Sequence, residues 1–194
     1  MNMLVCFGDS ITADETFFDG TPRLTPRLQE MFPNWKVENA GVPGDNTFDA
    51  LNRIEEDVLS HKPDFVTVFL DTNDAVSFSQ GSLQVYKENL EKIVKRISSD
   101  KVLLISPAPV DEERQRNRTN KVLGQYADVV EEVAKETGSH FLNLYAEMIQ
   151  ERDYKRFEEN DEKDGLHFGI EGYEYVTKLI GEKLKGILSH FNGQ

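Results

Sequence analysis

Four short stretches carry the side chains able to do chemistry: Gly8-Asp9-Ser10, Asn39-Ala40-Gly41-Val42-Pro43-Gly44-Asp45-Asn46-Thr47, Asp71-Thr72-Asn73-Asp74 and Asp164-Gly165-Leu166-His167. A serine hydroxyl is a weak nucleophile and needs an adjacent base. Histidine is the side chain whose unperturbed pKa suits that task. Its other ring nitrogen needs an acceptor to hold one tautomer, and Asp164, three residues before His167, can reach it across a turn. A tetrahedral intermediate then needs donors for its oxyanion. The N–H of Ser10, the N–H of Gly44 (where no side chain blocks approach) and the amide of Asn73 are suitable, each worth roughly 3–4 kcal/mol in the transition state. Singly, each stretch has a plainer use. Ser10 could cap a helix, Gly41 and Gly44 could form a tight turn, Asn73 and Asp74 could be a turn or N-cap, and His167 could be an ordinary surface histidine. The combination is what points to acyl transfer.

The elements that must position these groups follow from the apolar pattern. Runs at 3–7, 37–40, 65–70, 102–106 and 141–144 read as buried strands. Between them lie segments of helical period: Phe48, Leu51, Ile54 and Val58; Leu83, Tyr86, Leu90, Ile93, Val94 and Ile97; Val122, Tyr126, Val129, Val130 and Val133; and Tyr173, Val176, Ile180, Leu184, Ile187 and Phe191. A first helix is expected over 23–32, with Pro22 and Pro26 at its opening turn. Alternating strands and helices imply parallel βαβ units, and continuously apolar strands imply a sheet covered on both faces. The expected fold is a three-layer α/β/α sandwich with five parallel strands, built as one domain over 1–194. In such a sheet the first three stretches share the edge at the strand C-termini, where ligands bind. The loops at 107–118 and 158–164 are polar and acidic. They read most simply as solvated, with rimming of the site as the alternative.

A length of 194 residues suits one sizeable core, and a net charge of -13 argues against nucleic acid or an anionic membrane surface as partner. The single cysteine, Cys6, allows no intrachain disulfide and reads as a small buried hydrophobe. Ser10 comes too early for a cleavable leader, and no apolar run reaches transmembrane length, so a cytoplasmic location is the default.

Matched in order, these stretches resemble the GDSL esterases, also called SGNH hydrolases. The family's four blocks are a Ser in Gly-Asp-Ser, a Gly after the second strand, an Asn in Gly-x-Asn-Asp and a His in Asp-x-x-His. Here they are met by Ser10, Gly44, Asn73 and His167, with Asp164 as the acid. The resemblance spans 7–168 and implies a flavodoxin-like sheet of order 2-1-3-4-5 with ester hydrolysis through an acyl-enzyme, without metal or other cofactor. It implies Ser10 as nucleophile, His167 as general base and then acid, Asp164 as its orienting carboxylate, and an oxyanion hole from Ser10, Gly44 and Asn73. Asp9 and Asp74 read as structural, holding the loops of Ser10 and Asn73. One position departs: Asp71 stands where the family has Gly, either turned away onto backbone N–H groups, or reshaping the site or binding a polar or cationic substrate group.

Two other readings compete. Asp9, Asp71, Asp74, Asp164 and His167 could form an oxygen-rich metal site, which would leave Ser10 and Asn73 unused. A binding module without turnover is the third reading. No Gly-x-Ser-x-Gly elbow occurs, so an α/β-hydrolase is not indicated. The expected partner is a small ester with a short acyl chain, a simple ester or an acetylated sugar or metabolite, with lysophospholipids and thioesters open. Phe17, Phe18 and Phe78 lie near the blocks and could wall an acyl pocket or belong to the core. The sequence does not speak to oligomeric state.

Overall fold

The computed structural model describes residues 1–70, 72–76 and 82–189. Asp71 and Phe78 therefore lie outside the described residues, as does Phe191. Five strands, β1 (Asn2–Gly8), β2 (Trp35–Gly41), β3 (Phe65–Phe69), β4 (Val102–Ile105) and β5 (His140–Leu142), form one parallel sheet in the order β2-β1-β3-β4-β5. The helices are α1 (Ser10–Ala13), α2 (Leu24–Met31), α3 (Thr47–Asp57), α4 (Asn73–Val76), α5 (Leu83–Ile97), α6 (Asn120–Thr137), α7 (Leu144–Ile149) and α8 (Ile170–Leu188). This is the expected α/β/α sandwich with its expected strand order.

Strand side chains alternate between faces, and the two hydrophobic clusters divide accordingly. Leu4 and Cys6 of β1, Phe65 and Phe69 of β3, and Leu103 and Ile105 of β4 pack with Leu24 and Leu28 of α2 and with Val176, Ile180 and Leu184 of α8. Val5, Phe7, Val66, Val68 and Leu104 face the other way, against Ala50 and Ile54 of α3, Leu90 and Ile93 of α5, and Val130 and Val133 of α6. Truncating one such buried aliphatic side chain to Ala costs about 2–5 kcal/mol. The register sets the strand ends level, because Gly8 pairs with both Gly41 and Phe69. The segments after β1, β2 and β3 consequently leave the sheet at the same height.

The structure differs from the sequence reading in several places. Leu144 does not end β5: Asn143 accepts a hydrogen bond from the Ala146 N–H and starts α7 there. Phe48 is 54 % exposed. Ala50 and Ile54 of α3 are buried toward the sheet with Leu51 packed partly buried beside them, and Phe48 lies about 120° round the helix from Ile54. The loops at 107–118 and 158–164 are not simply solvated. Asp111 and Glu158 are buried, and the Asp111 N–H donates to Glu158 Oε2 at 2.6 Å and to the Gly165 carbonyl at 3.0 Å. Burying a charge needs a partner, and Asp111 has Lys155 at 3.2 Å and Arg114 at 3.4 Å. The first loop thereby buttresses the second. Among the described residues no helix is long and apolar enough to cross a membrane.

Candidate active site

Ser10 is the first residue of α1, two residues beyond the end of β1. The turn is tight because Asp9 caps it, with Oδ1 accepting from the Ile11 N–H at 3.1 Å. Gly8 is required here: a Cβ would collide with Thr12 and with the Phe69 carbonyl. The buried Tyr173 of α8 adds an anchor, donating its hydroxyl proton to the Ile11 carbonyl at 2.9 Å.

Asp164 and His167 sit on a turn just before α8. Asp164 Oδ1 accepts the backbone N–H of Leu166 at 2.9 Å and of His167 at 3.0 Å, while Oδ2 meets His167 Nδ1 at 2.5 Å. His167 Nε2 lies 2.9 Å from Ser10 Oγ. Burial pushes the Asp164 carboxyl up, but bonds from the His167 ring and the two backbone N–H groups outweigh it and hold the pKa below the usual carboxylate value. An ionised acceptor at Nδ1 keeps the proton on that nitrogen and leaves Nε2 free to accept from the serine. Asn160 braces the turn, donating to the His167 carbonyl at 2.5 Å and to Asp164 Oδ1 at 3.3 Å.

The oxyanion candidates converge on the same edge. Gly44 has φ of +84°, a conformation that favours glycine, with open space where a Cβ would stand. Asn73 opens α4, and its Nδ2 donates to the Asp45 carbonyl at 2.9 Å and to Asp9 Oδ2 at 3.3 Å. The N–H groups of Ser10 and Gly44 donate to no other group among the described residues. Asp74 holds the start of α3, accepting from the Thr47 N–H at 2.8 Å and the Thr47 hydroxyl at 2.7 Å. Burial raises its pKa, opposed by the two bonds from Thr47.

Asp9 and Asp74 thus spend their oxygens on the loops and are not gathered with His167. Among the described residues, the one cluster of acids and histidine close enough to share an ion is Glu162, Asp164 and His167, and Asp164 and His167 already bond to each other there. Of the metal site weighed from the sequence, the described members Asp9 and Asp74 do not join Asp164 and His167, and Asp71 lies outside the described residues.

A cavity of about 400 Å³ opens beside Ser10 and His167. Phe17, Phe18, Phe168 and Pro43 give it apolar walls, and Asp14, Asp161, Glu162 and Arg23 are its charged groups. Arg23 is paired with Asp14 at 2.8 Å and lies over the Phe17 ring. Phe17 packs edge-on against Tyr173, while Phe18 is fully exposed at the mouth.

Three residues around the site were not singled out from the sequence. Arg53 of α3 donates to the Gly8 carbonyl at 2.8 Å, the Ala40 carbonyl at 2.9 Å and Asp45 Oδ2 at 2.5 Å, tying together the ends of β1 and β2 and the turn carrying Gly44. Arg118 reaches Asn73, and Gln115 reaches Asp164. The contacts to Gly8, Asn73 and Asp164 each join residues 45 or more apart in the chain, and no local pattern marks them.

The profile of the GDSL-like lipase/acylhydrolase family matches residues 6–175. A GDSL esterase/lipase of Arabidopsis thaliana is 32% identical, over 92% of this chain and 84% of its own length. The isoamyl acetate-hydrolyzing esterase 1 homolog of Homo sapiens is 31% identical, over 95% of this chain and 83% of its own. The crystal structure of the lipase/acylhydrolase from Enterococcus faecalis superimposes with a TM-score of 0.87 at 34% identity, covering 96% of each chain. With the fold, the ordered blocks and these relatives in agreement, the chain belongs to the GDSL-like lipase/acylhydrolase family of ester hydrolases.

Proposed function

We propose that the protein is a serine esterase that cleaves small neutral acyl esters through an acyl-enzyme. The observation that carries this is the relay from Ser10 Oγ to His167 Nε2 at 2.9 Å and from His167 Nδ1 to Asp164 Oδ2 at 2.5 Å. Ser10 Oγ attacks the ester carbonyl as its proton passes to His167 Nε2, and Asp164 stabilises the imidazolium. The carbonyl oxygen becomes an oxyanion held by the N–H groups of Ser10 and Gly44 and the amide of Asn73. Collapse breaks the bond to the alcohol oxygen, which takes the proton from Nε2 and leaves. Water then repeats the sequence on the acyl-serine, with His167 again base and then acid, and releases the carboxylic acid.

The cavity is lined by His167 and Ser10 but by neither Gly44 nor Asn73. It therefore lies on the side where the protonated alcohol departs, and we assign it to the alcohol portion. Its aromatic walls suit an apolar or branched alcohol, in keeping with the relative named for isoamyl acetate hydrolysis. Asp161 and Glu162 at its edge disfavour an anionic one. We further propose that residues 1–194 work as one domain in the cytoplasm.

A fluorophosphonate probe should label wild-type protein at Ser10 and leave Ser10→Ala unlabelled but folded. p-Nitrophenyl acetate and butyrate should be hydrolysed by the first and not the second. A folded wild-type chain that neither labels nor turns over these esters refutes the assignment.

A further inference from the structure

The loop that follows β4 places two side chains against both halves of the proposed machinery. Arg118 Nη2 donates to Asn73 Oδ1 at 3.3 Å, and Arg118 Nη1 donates to Gln115 Oε1 at 3.1 Å. Gln115 Nε2 in turn donates to the backbone carbonyl of Asp164 at 2.7 Å. A continuous hydrogen-bonded path therefore runs from the Asn73 amide to the residue that orients His167. Arg118 and Gln115 are both partly shielded from solvent, and Thr119 next to Arg118 caps α6, which fixes the base of this path to a helix of 18 residues.

The chemistry of the two ends of the amide decides what Arg118 does. A guanidinium only donates, so the group it faces must be the amide oxygen. The opposite end meets two acceptors, the Asp45 carbonyl and the Asp9 carboxylate, so it must be the amide nitrogen. The amide is thereby locked with its N–H groups toward the Ser10 turn, and the one on the long 3.3 Å bond to Asp9 is the one an oxyanion would take over. A positive charge on Oδ1 also draws electron density from the nitrogen and makes its N–H a stronger donor. The same charge offsets the nearby Asp9 carboxylate, which would otherwise oppose an oxyanion at that spot.

We infer that Arg118 is a positioning residue for ester cleavage: it orients and polarises the Asn73 amide toward the oxyanion and, through Gln115, ties that amide to the turn carrying Asp164. This rests on the reading of Asn73 as an oxyanion donor, and the experiment separates the two. On p-nitrophenyl acetate, Asn73→Ala should lower kcat about a hundredfold or more, as expected for a lost oxyanion donor. Arg118→Ala should lower kcat about tenfold, a part of that loss, with KM within about twofold. The double variant should be no slower than Asn73→Ala alone, because the effect inferred for Arg118 on the oxyanion passes through that amide. Arg118→Lys, which keeps the charge, should exceed Arg118→Gln in kcat at equal KM. That comparison stands even if the alanine variant does not fold. Melting curves on every variant verify the fold.

If Asn73→Ala is slow while Arg118→Ala keeps wild-type kcat, the inference fails and the oxyanion reading stands. If the two losses multiply in the double variant, or Arg118→Gln matches Arg118→Lys in kcat, Arg118 does not work through the Asn73 amide. If Asn73→Ala keeps full activity, the oxyanion reading itself falls and takes the inference with it.

Discussion

Replacing Asp164 by its isostere should be at least as damaging to activity as deleting the side chain. Asp164 has two tasks on two oxygens. Oδ1 receives the backbone N–H groups of Leu166 and His167, and Oδ2 receives the ring of His167. The two backbone groups can only donate, so in Asp164→Asn the amide oxygen must take the Oδ1 place. The amide nitrogen then faces Nδ1 and donates to it. Nδ1 becomes an acceptor, Nε2 carries the proton, and Ser10 loses its base. The expected fall in kcat is about ten-thousandfold, the scale of a triad locked in the wrong tautomer. Stability should hardly change, because the turn keeps its backbone bonds. Asp164→Ala removes the lock as well as the acceptor, so it should be no slower than Asp164→Asn. It also gives up the two backbone bonds that Asp164→Asn keeps, roughly 1 kcal/mol each, and should be less stable than Asp164→Asn by about 2 kcal/mol. The assays are kcat and KM on p-nitrophenyl acetate and urea unfolding of both variants. Equal losses of only about tenfold would mean that Asp164 acts by charge at a distance and not by setting the tautomer. The lowered pKa of Asp164 adds a pH test. A depressed carboxylate contributes stability above its unfolded value of about 3.9 and loses it as pH falls through the lower folded value. The stability gap between wild type and Asp164→Ala should therefore hold from neutral pH down to the ordinary aspartate range and narrow below it.

Other expectations concern the surroundings of the site. Arg53→Ala should destabilise the fold by about 3 kcal/mol in urea unfolding, since it strands a largely buried carboxylate and two carbonyls, and a change under about 1 kcal/mol would refute the clamp. Burial raises the Asp45 pKa against the pull of Arg53. A raised carboxyl pKa favours the folded state at low pH and loses that contribution as pH rises through the folded value, so the Arg53→Ala defect should be smaller near pH 4 than at pH 7. Asp161→Asn with Glu162→Gln should raise kcat/KM for 4-acetoxybenzoate about threefold or more relative to phenyl acetate, through relief of like-charge repulsion. No change in that ratio would take the cavity out of alcohol selection. Burial pushes the Cys6 thiol up to about 12. Iodoacetamide at pH 7 should therefore leave the native protein unmodified and label it only after denaturation.

Local sequence determined a large part of this protein. Strand and helix periods are set by which side chains must leave water, so the five-stranded sandwich was legible from apolar runs such as 3–7 and 65–70. Asp164 and His167 were legible as a pair because three residues of turn fix their geometry. The order of Ser10, Gly44, Asn73 and His167 then carried the family. Tertiary structure decided what depends on distant chain segments meeting. The register that sets Gly8 level with Gly41 and Phe69 brings the first three blocks to one height. The rotation of α3 against the sheet buries Ile54 as its apolar pattern indicates but leaves Phe48 in solvent and turns Ala50 inward, a choice the pattern alone did not make. Asp111 and Glu158 read as solvated charges until their burial against each other showed a buttress under the Asp164 turn. Arg53, Gln115 and Arg118 carried no mark in the sequence for a related reason. Long flexible side chains carry no period that reveals their partners, and only the folded chain put their donors on Gly8, Asp164 and Asn73.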